Sequence, residues 1–155
     1  LSEAEPELRL VDPLAETPSP APLAHAIGTY DFQFSPDGAF LAYRHGADEE
    51  HPKGRHLSLL DLATLQERPL IFDEDSVVSY AWSPSSTLLA VAFEKAGVTH
   101  LGGVRAPAPG DEASPVPLAS TPASIESELH WVADDFVAFH ALAPDELRRT
   151  PYYSQ

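Results

Sequence analysis

Alternating apolar and polar positions divide the chain into short segments that are bounded by turn residues. Residues 29–34 and 39–44 carry aromatic and aliphatic side chains of the kind that suit a pleated strand. Between them lies Ser35-Pro36-Asp37-Gly38, which is typical of a type I turn because proline presets φ at its second position and glycine tolerates positive φ at its fourth. The pattern predicts a β-hairpin.

This hairpin pattern occurs three times along the chain. The aromatic residues before each turn, Phe34, Trp82 and Trp131, are spaced by 48 and 49 residues. In the second copy Ser86 stands where the first has Gly38, and the third copy is one residue shorter. A fixed period of this length is the signature of a repeat architecture, so the hairpin is part of a repeating unit.

A second element recurs out of phase with the hairpin. Residues 57–61 (Leu-Ser-Leu-Leu-Asp) match residues 8–12 at a spacing of 49, and residues 100–105 form a weaker copy. A turn at 62–65 and a strand at 67–72 complete the unit. Four strands in about 48 residues correspond to one blade of a β-propeller, so the predicted fold class is all-β.

The quoted motifs resemble a known family. Residues 34–43 (Phe-Ser-Pro-Asp-Gly-Ala-Phe-Leu-Ala-Tyr), followed by the strand at 57–61, are similar to the repeat of TolB-type, WD40-like β-propellers. The resemblance covers roughly residues 7–141, and it departs from true WD repeats, which carry Gly-His and Trp-Asp pairs. It implies four-stranded antiparallel blades, and it is shared by periplasmic and peptidase-associated propellers, so it implies a fold more than a function.

The repeats predict about three blade equivalents, whereas propellers usually have four to eight blades. We expect these units: a Pro-rich N-terminal segment (1–27) whose strands complete a blade, a blade (28–73), a second blade (76–119), the first half of a further blade (124–141) and a tail (142–155). Two interpretations remain open. The chain is part of a larger propeller, which its start at Leu1 rather than Met favours, or it is half of a dimeric six-bladed ring.

The composition of the chain restricts the kinds of partner that it is expected to bind. The chain has 24 Asp and Glu against 9 Lys and Arg, giving a net charge of −15, so we expect no binding to nucleic acid and a preference for a basic protein or peptide. The absence of cysteine excludes disulfides and thiolate metal sites. Apolar stretches such as residues 88–93 are far shorter than the ~20 residues that span a bilayer, so no membrane insertion is expected.

The sequence contains few residues that are candidates for binding a metal or another ligand. Residues 45–56 combine three histidines with carboxylates, which are metal-binding types, but glycine and proline leave their geometry unfixed, so we interpret the segment as an exposed charged loop. The remaining candidates are interpreted as strand or turn residues rather than ligands: His56, His100, His130, His140, residues 73–75 (Asp-Glu-Asp), and Asp134 with Asp135.

Signatures of catalysis are missing from the sequence. It contains no Gly-x-Ser-x-Gly motif, and Gly102-Gly103 lacks the Lys and Ser/Thr that follow in a phosphate loop. We therefore predict no catalytic residue, no cofactor and no metal. The expected function is a non-enzymatic scaffold for protein–protein interaction, exported or periplasmic. Two alternatives are an accessory propeller of a larger prolyl oligopeptidase-like enzyme and the sensor domain of a membrane-anchored regulator.

Overall fold

The computed structural model describes residues 9–11, 14, 16, 21–22, 31–45, 56–70, 76–123, 125 and 128–141. These residues contain strands and turns but no helix, which confirms the all-β prediction for them. The strands are β1 (Arg9–Leu10), β2 (Ala21–Pro22), β3 (Asp31–Phe34), β4 (Phe40–Arg44), β5 (Leu57–Asp61), β6 (Gln66–Leu70), β7 (Ser76–Trp82), β8 (Leu88–Lys95), β9 (Val98–Arg105), β10 (Val116–Pro117), β11 (Thr121–Pro122), β12 (His130–Ala133) and β13 (Phe136–Ala138).

The first sheet is an antiparallel meander in the order β3-β4-β5-β6. Its first turn has the geometry that the sequence predicts. Gly38 adopts a φ of 72°, and its N–H donates to the carbonyl of Ser35 at 2.8 Å. The carboxylate of Asp37 accepts hydrogen bonds from the Ser35 hydroxyl and the Ala39 N–H, at 2.6 and 3.0 Å, which fixes the turn between β3 and β4.

The second sheet is built from β7, β8 and β9, with β10 and β11 both paired to β9. The single fourth strand expected here is thus two short strands, and the sheet has five strands rather than four. Pro117 and Pro122 lie in these two strands, and proline has no N–H to donate to a continuous ladder.

Two smaller antiparallel pairs complete the described strands. β12 and β13 form a hairpin, extended by an isolated bridge between Ile125 and Ala141. β1 pairs with β2 through Arg9 opposite Pro22 and Leu10 opposite Ala21. Among the described strands, neither pair extends into a larger sheet.

The main core lies between the first and second sheets. Alternate residues of β4 and β5 face the second sheet, and alternate residues of β7 and β8 face back. The rings of Phe40 and Trp82 stack across the interface, with centroids 6.2 Å apart and planes 20° apart. The buried residues of this core are Phe40, Ala42, Leu57, Leu59, Leu70, Val77, Tyr80, Trp82, Leu89, Val91, Phe93 and Val104.

A further core joins the opposite face of the second sheet to the β12–β13 hairpin. The second sheet contributes the small side chains of Ala81, Ala90 and Ala92, and Ile125 and Leu129 pack against them. Small residues let two layers approach closely. The first sheet, the second sheet and the hairpin are therefore three successive layers.

The same contact joins each pair of layers. Trp82 Nε1 donates to the carbonyl of Gln33 at 3.3 Å, and Trp131 Nε1 donates to the carbonyl of Ala81 at 2.8 Å. Both acceptors stand immediately before the repeat's aromatic residue in the preceding layer. The repeat seen in the sequence is thus also a repeat of contacts between layers.

Candidate functional site

A cleft of about 760 Å³ opens where the first strands of the three layers, β3, β7 and β12, lie beside one another. Each of these strands pairs with one described neighbour, so the edges that line the cleft are not closed by another described strand. The lining residues are Asp31, Gln33, Pro36, Arg44, Val78, Ser79, Tyr80, Ala81, Trp82, Pro84, Ile125, Glu128, Leu129, His130 and Trp131.

An ion pair between Asp31 and Arg44 occupies the first-sheet side of the cleft, with Nη2 and Oδ2 2.8 Å apart. These two residues lie opposite each other in the β3–β4 ladder. The other guanidinium nitrogen, Nη1, donates to the carbonyls of Val77 and Val78 at 3.1 and 2.8 Å. The register of β7 shifts between Val77 and Ser79, and such a bulge brings two successive carbonyls within reach of one guanidinium.

Tyr80 forms the floor of the same region. Its hydroxyl donates to the Asp31 carboxylate at 3.2 Å and also lies 3.4 Å from the carbonyl of Ala42. Burial raises the pKa of the Tyr80 phenol, and the negative charge of Asp31 raises it further. The phenol therefore stays protonated at neutral pH and serves as a hydrogen-bond donor, not as a base.

Side-chain donors cap several backbone carbonyls along the cleft. Gln33 Nε2 donates to the carbonyl of Tyr80 at 3.2 Å, in addition to the two tryptophan contacts described above. The Ser79 hydroxyl accepts the N–H of Leu129 at 3.3 Å. These bonds occupy groups that an exposed strand edge would otherwise offer to another strand. The exposed lining residues include the polar side chains of Glu128 and His130 as well as the apolar side chain of Val78.

A second polar cluster lies on the first sheet, on the face turned away from the second sheet. The Ser58 hydroxyl is 2.8 Å from His45 Nε2, and the Glu67 carboxylate is 3.4 Å from the same nitrogen. In a catalytic triad the serine and the acid contact opposite ring nitrogens, and the serine meets substrate. Ser58 is buried. The serine and the acid here contact the same ring nitrogen, so the arrangement differs from a triad and joins three neighbouring strands.

Glu67 is held ionised in this cluster. Burial acts to raise the pKa of its carboxyl group, but hydrogen bonding with His45, Tyr43 and Ser58 together outweighs burial, and the net pKa is lowered. The cluster is therefore a partly buried polar network that ties the end of β4 to β5 and β6.

The sequence-derived candidates are dispersed. Of residues 45–56 only His45 and His56 are described, and residues 73–75 lie outside the described residues. His100 stacks on Phe93 within the second sheet, with ring centroids 5.6 Å apart. Asp134 accepts the N–H of Ser85 at 2.8 Å and so links two neighbouring turns. Among the described residues, no group of three or more His, Asp or Glu side chains is placed to hold a metal ion.

The two histidines of the third layer differ in their placement. His130 begins β12, in agreement with its interpretation as a strand residue, whereas His140 follows β13 and lies outside a strand. Gly102 and Gly103 lie in β9, where a Cβ on Gly102 would be 3.1 Å from the Phe93 ring and from the Ser120 Cβ. Close packing on β9 therefore accounts for Gly102, whereas a Cβ on Gly103 would make ordinary contacts, the nearest at 3.4 Å.

Sequence reasoning missed the ion pair and the tyrosine of the cleft. The signal for Asp31 and Arg44 was present, because counting outward from the Ser35–Gly38 turn places them opposite each other in the hairpin. No comparable signal marks the β-bulge at Val78, since it depends on how β7 meets the layers on both sides.

Comparison with known proteins adds no relative: no family model matches the chain, and no curated protein sequence matches it. A search of the described residues for a helix long and apolar enough to cross a membrane found none.

Proposed function

We propose that the chain forms successive blades of a TolB-type, WD40-like β-propeller and acts as a non-enzymatic scaffold that binds a basic protein or peptide. The blade interpretation is supported by the tryptophan contacts that recur between layers. A contact that recurs at the same position of successive repeats is what successive blades of a propeller would make.

The observation that carries the binding proposal is the composition of the cleft. The arginine in its lining, Arg44, is engaged by Asp31 and by two carbonyls. Glu128 and Trp131 both line the cleft, and Glu128 is exposed. A cleft that offers both a carboxylate and an aromatic ring suits a lysine or arginine side chain. The net charge of −15 attracts a basic partner over longer distances and raises its association rate at low salt.

Fluorescence anisotropy with a labelled peptide tests the proposal. The probe is a short peptide rich in lysine and arginine, compared with a glutamate-rich peptide of equal length at low and high salt. We expect binding of the basic peptide only, with affinity that falls as salt rises.

A matched pair of variants separates the cleft from general charge attraction. Glu128→Gln removes one charge at the rim, and Glu112→Gln removes one charge from the exposed loop before β10. We expect Glu128→Gln to weaken binding about two- to fivefold more than Glu112→Gln does. Equal effects of the two variants, or no binding at low salt, would refute the proposal.

The same proposal places the scaffold outside the cytoplasm, in the periplasm or among exported proteins. Its support is the family resemblance together with the absence of cysteine. Fractionation of cells that express the full-length gene product tests this location, and recovery of the protein in the cytoplasmic fraction alone would contradict it.

A further inference from the structure

The outward face of the first sheet is open at its first strand. Phe32 and Phe34 of β3 are 51% and 49% exposed, and their rings meet edge-on at 6.3 Å. Their equivalents in the next repeat, Tyr80 and Trp82, are only 3% and 7% exposed because the first sheet covers them. Phe32 and Phe34 therefore occupy repeat positions at which the next repeat carries an aromatic pair that is buried by another layer.

Other apolar residues on the outward face of the first sheet are buried. Leu41, Tyr43 and Leu60 point to the same side as Phe32 and Phe34, and all three are buried. The exposed area is therefore confined to the place where the first and second strands of a preceding layer would lie.

At the other end of the stack, the described residues supply the first two strands of a layer but not its third and fourth strands. The β12–β13 hairpin supplies a first and a second strand, and it covers β7 and β8 of the second sheet. Beyond β13 lies an apolar groove of about 250 Å³, lined by Leu101, Gly103, Leu118 and Val137 among others. This groove is where the third and fourth strands of the hairpin's layer would lie.

The described residues include no third or fourth strand of the hairpin's layer, but segments of the same chain correspond to these strands. The sequence of residues 8–12 matches that of 57–61, and 57–61 is the third strand of the first sheet. β1 lies in residues 8–12 and pairs with β2, as β5 pairs with β6. No other described strand pairs with β1 or β2.

We infer that a second copy of the chain completes this layer. β1 and β2 of one protomer lie beside β13 of its partner, so that four strands from two chains form one sheet. The partner's hairpin then covers Phe32 and Phe34, while β1 and β2 close the partner's groove. Two-fold symmetry makes both junctions identical and closes the dimer as a ring of six layers. The inference rests on the proposed blade architecture but not on the basic ligand.

A second copy fits these gaps because one chain carries both halves of the junction. β12 and β13, the first two strands of the layer, are exposed at one end of the described chain. β1 and β2, which correspond to its third and fourth strands, lie at the other end. A self-complementary pair of surfaces of this kind is satisfied by identical chains and closes without leaving an edge.

The interface inside the chain specifies the expected contacts. Phe34 and Phe136 occupy the repeat positions of Trp82 and Phe40, whose rings stack at 6.2 Å. Phe136 is 68% exposed. Phe34 therefore stacks on Phe136 of the partner subunit. Phe32 enters the groove of about 320 Å³ on the partner's hairpin, whose lining includes Glu128, His130 and Ala138.

Sedimentation equilibrium of the full chain tests the inference. We expect a mass twice the 16.8 kDa of one chain. Phe34→Ser is expected to raise the dissociation constant at least about tenfold, because the dimer loses the buried ring at both junctions. Val98→Ser is the matched control, since Val98 is also 49% exposed but lies in the β8–β9 region away from both ends. Circular dichroism checks that each variant is folded.

Cross-linking tests the contact itself, and the absence of native cysteine makes it specific. Phe34→Cys and Phe136→Cys are made as separate single variants and treated with a short bismaleimide. We expect a cross-linked dimer from their mixture, little from either variant alone, and none when Val98→Cys replaces one of them.

Several results would overturn the inference: a monomer at all concentrations, a dimer insensitive to Phe34→Ser, or cross-links of Phe34→Cys to itself alone. A monomer that still binds the basic peptide overturns the dimer and leaves the proposed function standing. A dimer that ignores the peptide contradicts the proposed function alone.

Discussion

The indole Nε1 of Trp82 donates a hydrogen bond of 3.3 Å to the carbonyl of Gln33, which lies 49 residues earlier in the chain. Trp131 repeats this contact at 2.8 Å with Ala81, the residue that precedes Trp82. One side chain of each repeat thus fills the interface and also satisfies a carbonyl on the first strand of the preceding layer. This dual role explains why an aromatic precedes each turn, and why tryptophan occupies the two positions that face another layer.

Substitutions of Trp82 separate the two roles. Trp82→Phe keeps a ring against Phe40 but removes the donor, and we expect a loss of about 1 kcal/mol in the free energy of unfolding. Trp82→Ala removes the ring as well, and a loss of about 3–5 kcal/mol is expected because a cavity forms between two sheets. Urea denaturation followed by circular dichroism measures both.

Trp131→Phe is the control for the donor, since its hydrogen bond is shorter but its side chain is only partly buried. We expect a loss at least as large as that of Trp82→Phe, because Ala81 is buried whereas Gln33 is exposed, so water replaces the donor less readily at the carbonyl of Ala81. A loss from Trp82→Phe as large as that from Trp82→Ala would contradict the division of roles.

Local chemistry explains which parts of this fold were predictable. The turn at Ser35–Gly38, the hairpin around it and the strand at Leu57–Asp61 each depend on residues within a few positions of one another. The interruption between β10 and β11 was missed because the prediction treated the outer strand as one run, although Pro117 and Pro122 mark the weak points.

The cleft was less predictable than the fold, because its geometry depends on three layers meeting. Arg44 reaches the carbonyls of Val77 and Val78 more than 30 residues away, and the bulge that presents them has no sequence signature in β7 alone. Spacing in the sequence gives the register within a hairpin, but it does not give the rotation between successive layers.

Two buried tyrosines are expected to respond in opposite ways to loss of the hydroxyl group. The Tyr43 hydroxyl is buried near the Glu67 carboxylate, and burial and Glu67 raise its pKa. It makes no hydrogen bond of standard geometry among the described residues, whereas that of Tyr80 bonds to Asp31 and to the carbonyl of Ala42. We expect Tyr43→Phe to leave stability unchanged or raise it, and Tyr80→Phe to cost about 1–2 kcal/mol. Urea unfolding at neutral pH measures both changes, and each variant is the control for the other. Equal losses would show that the Tyr43 hydroxyl has a partner.

Asp61 makes stability depend on pH. Its buried carboxylate accepts the N–H groups of Ala63, Thr64 and Gly110, so it caps the β5–β6 turn and ties it to the loop after β9. Burial opposes ionisation, but these backbone bonds outweigh it and the pKa of Asp61 is lowered. The stabilisation is therefore present above the unfolded pKa of about 4 and is lost as pH falls through the lower folded value.

Asp61→Asn tests this dependence, because it keeps the shape of the side chain and removes the charge. We expect a loss of about 1–2 kcal/mol at neutral pH that shrinks steadily below about pH 4, where the wild-type carboxyl group also becomes neutral. Urea unfolding at a series of pH values measures the difference, and Glu112→Gln serves as an exposed control. A difference that stays constant with pH would show that the loss of an acceptor oxygen, and not the loss of charge, accounts for the effect of the substitution.

Leu65 and Gly38 both lie in the left-handed region, with φ of 56° and 72°, but only Gly38 is suited to it. An added Cβ on Gly38 meets no atom within 4 Å, so Gly38→Ala tests backbone strain alone and is expected to cost about 1 kcal/mol. The side chain of Leu65 is 61% exposed, and asparagine tolerates its φ better than leucine does. We therefore expect Leu65→Asn to raise the unfolding free energy by about 0.5 kcal/mol. Thermal and urea denaturation of the two variants check both signs, and a destabilised Leu65→Asn would show that the leucine side chain contributes buried apolar contact that outweighs its backbone strain.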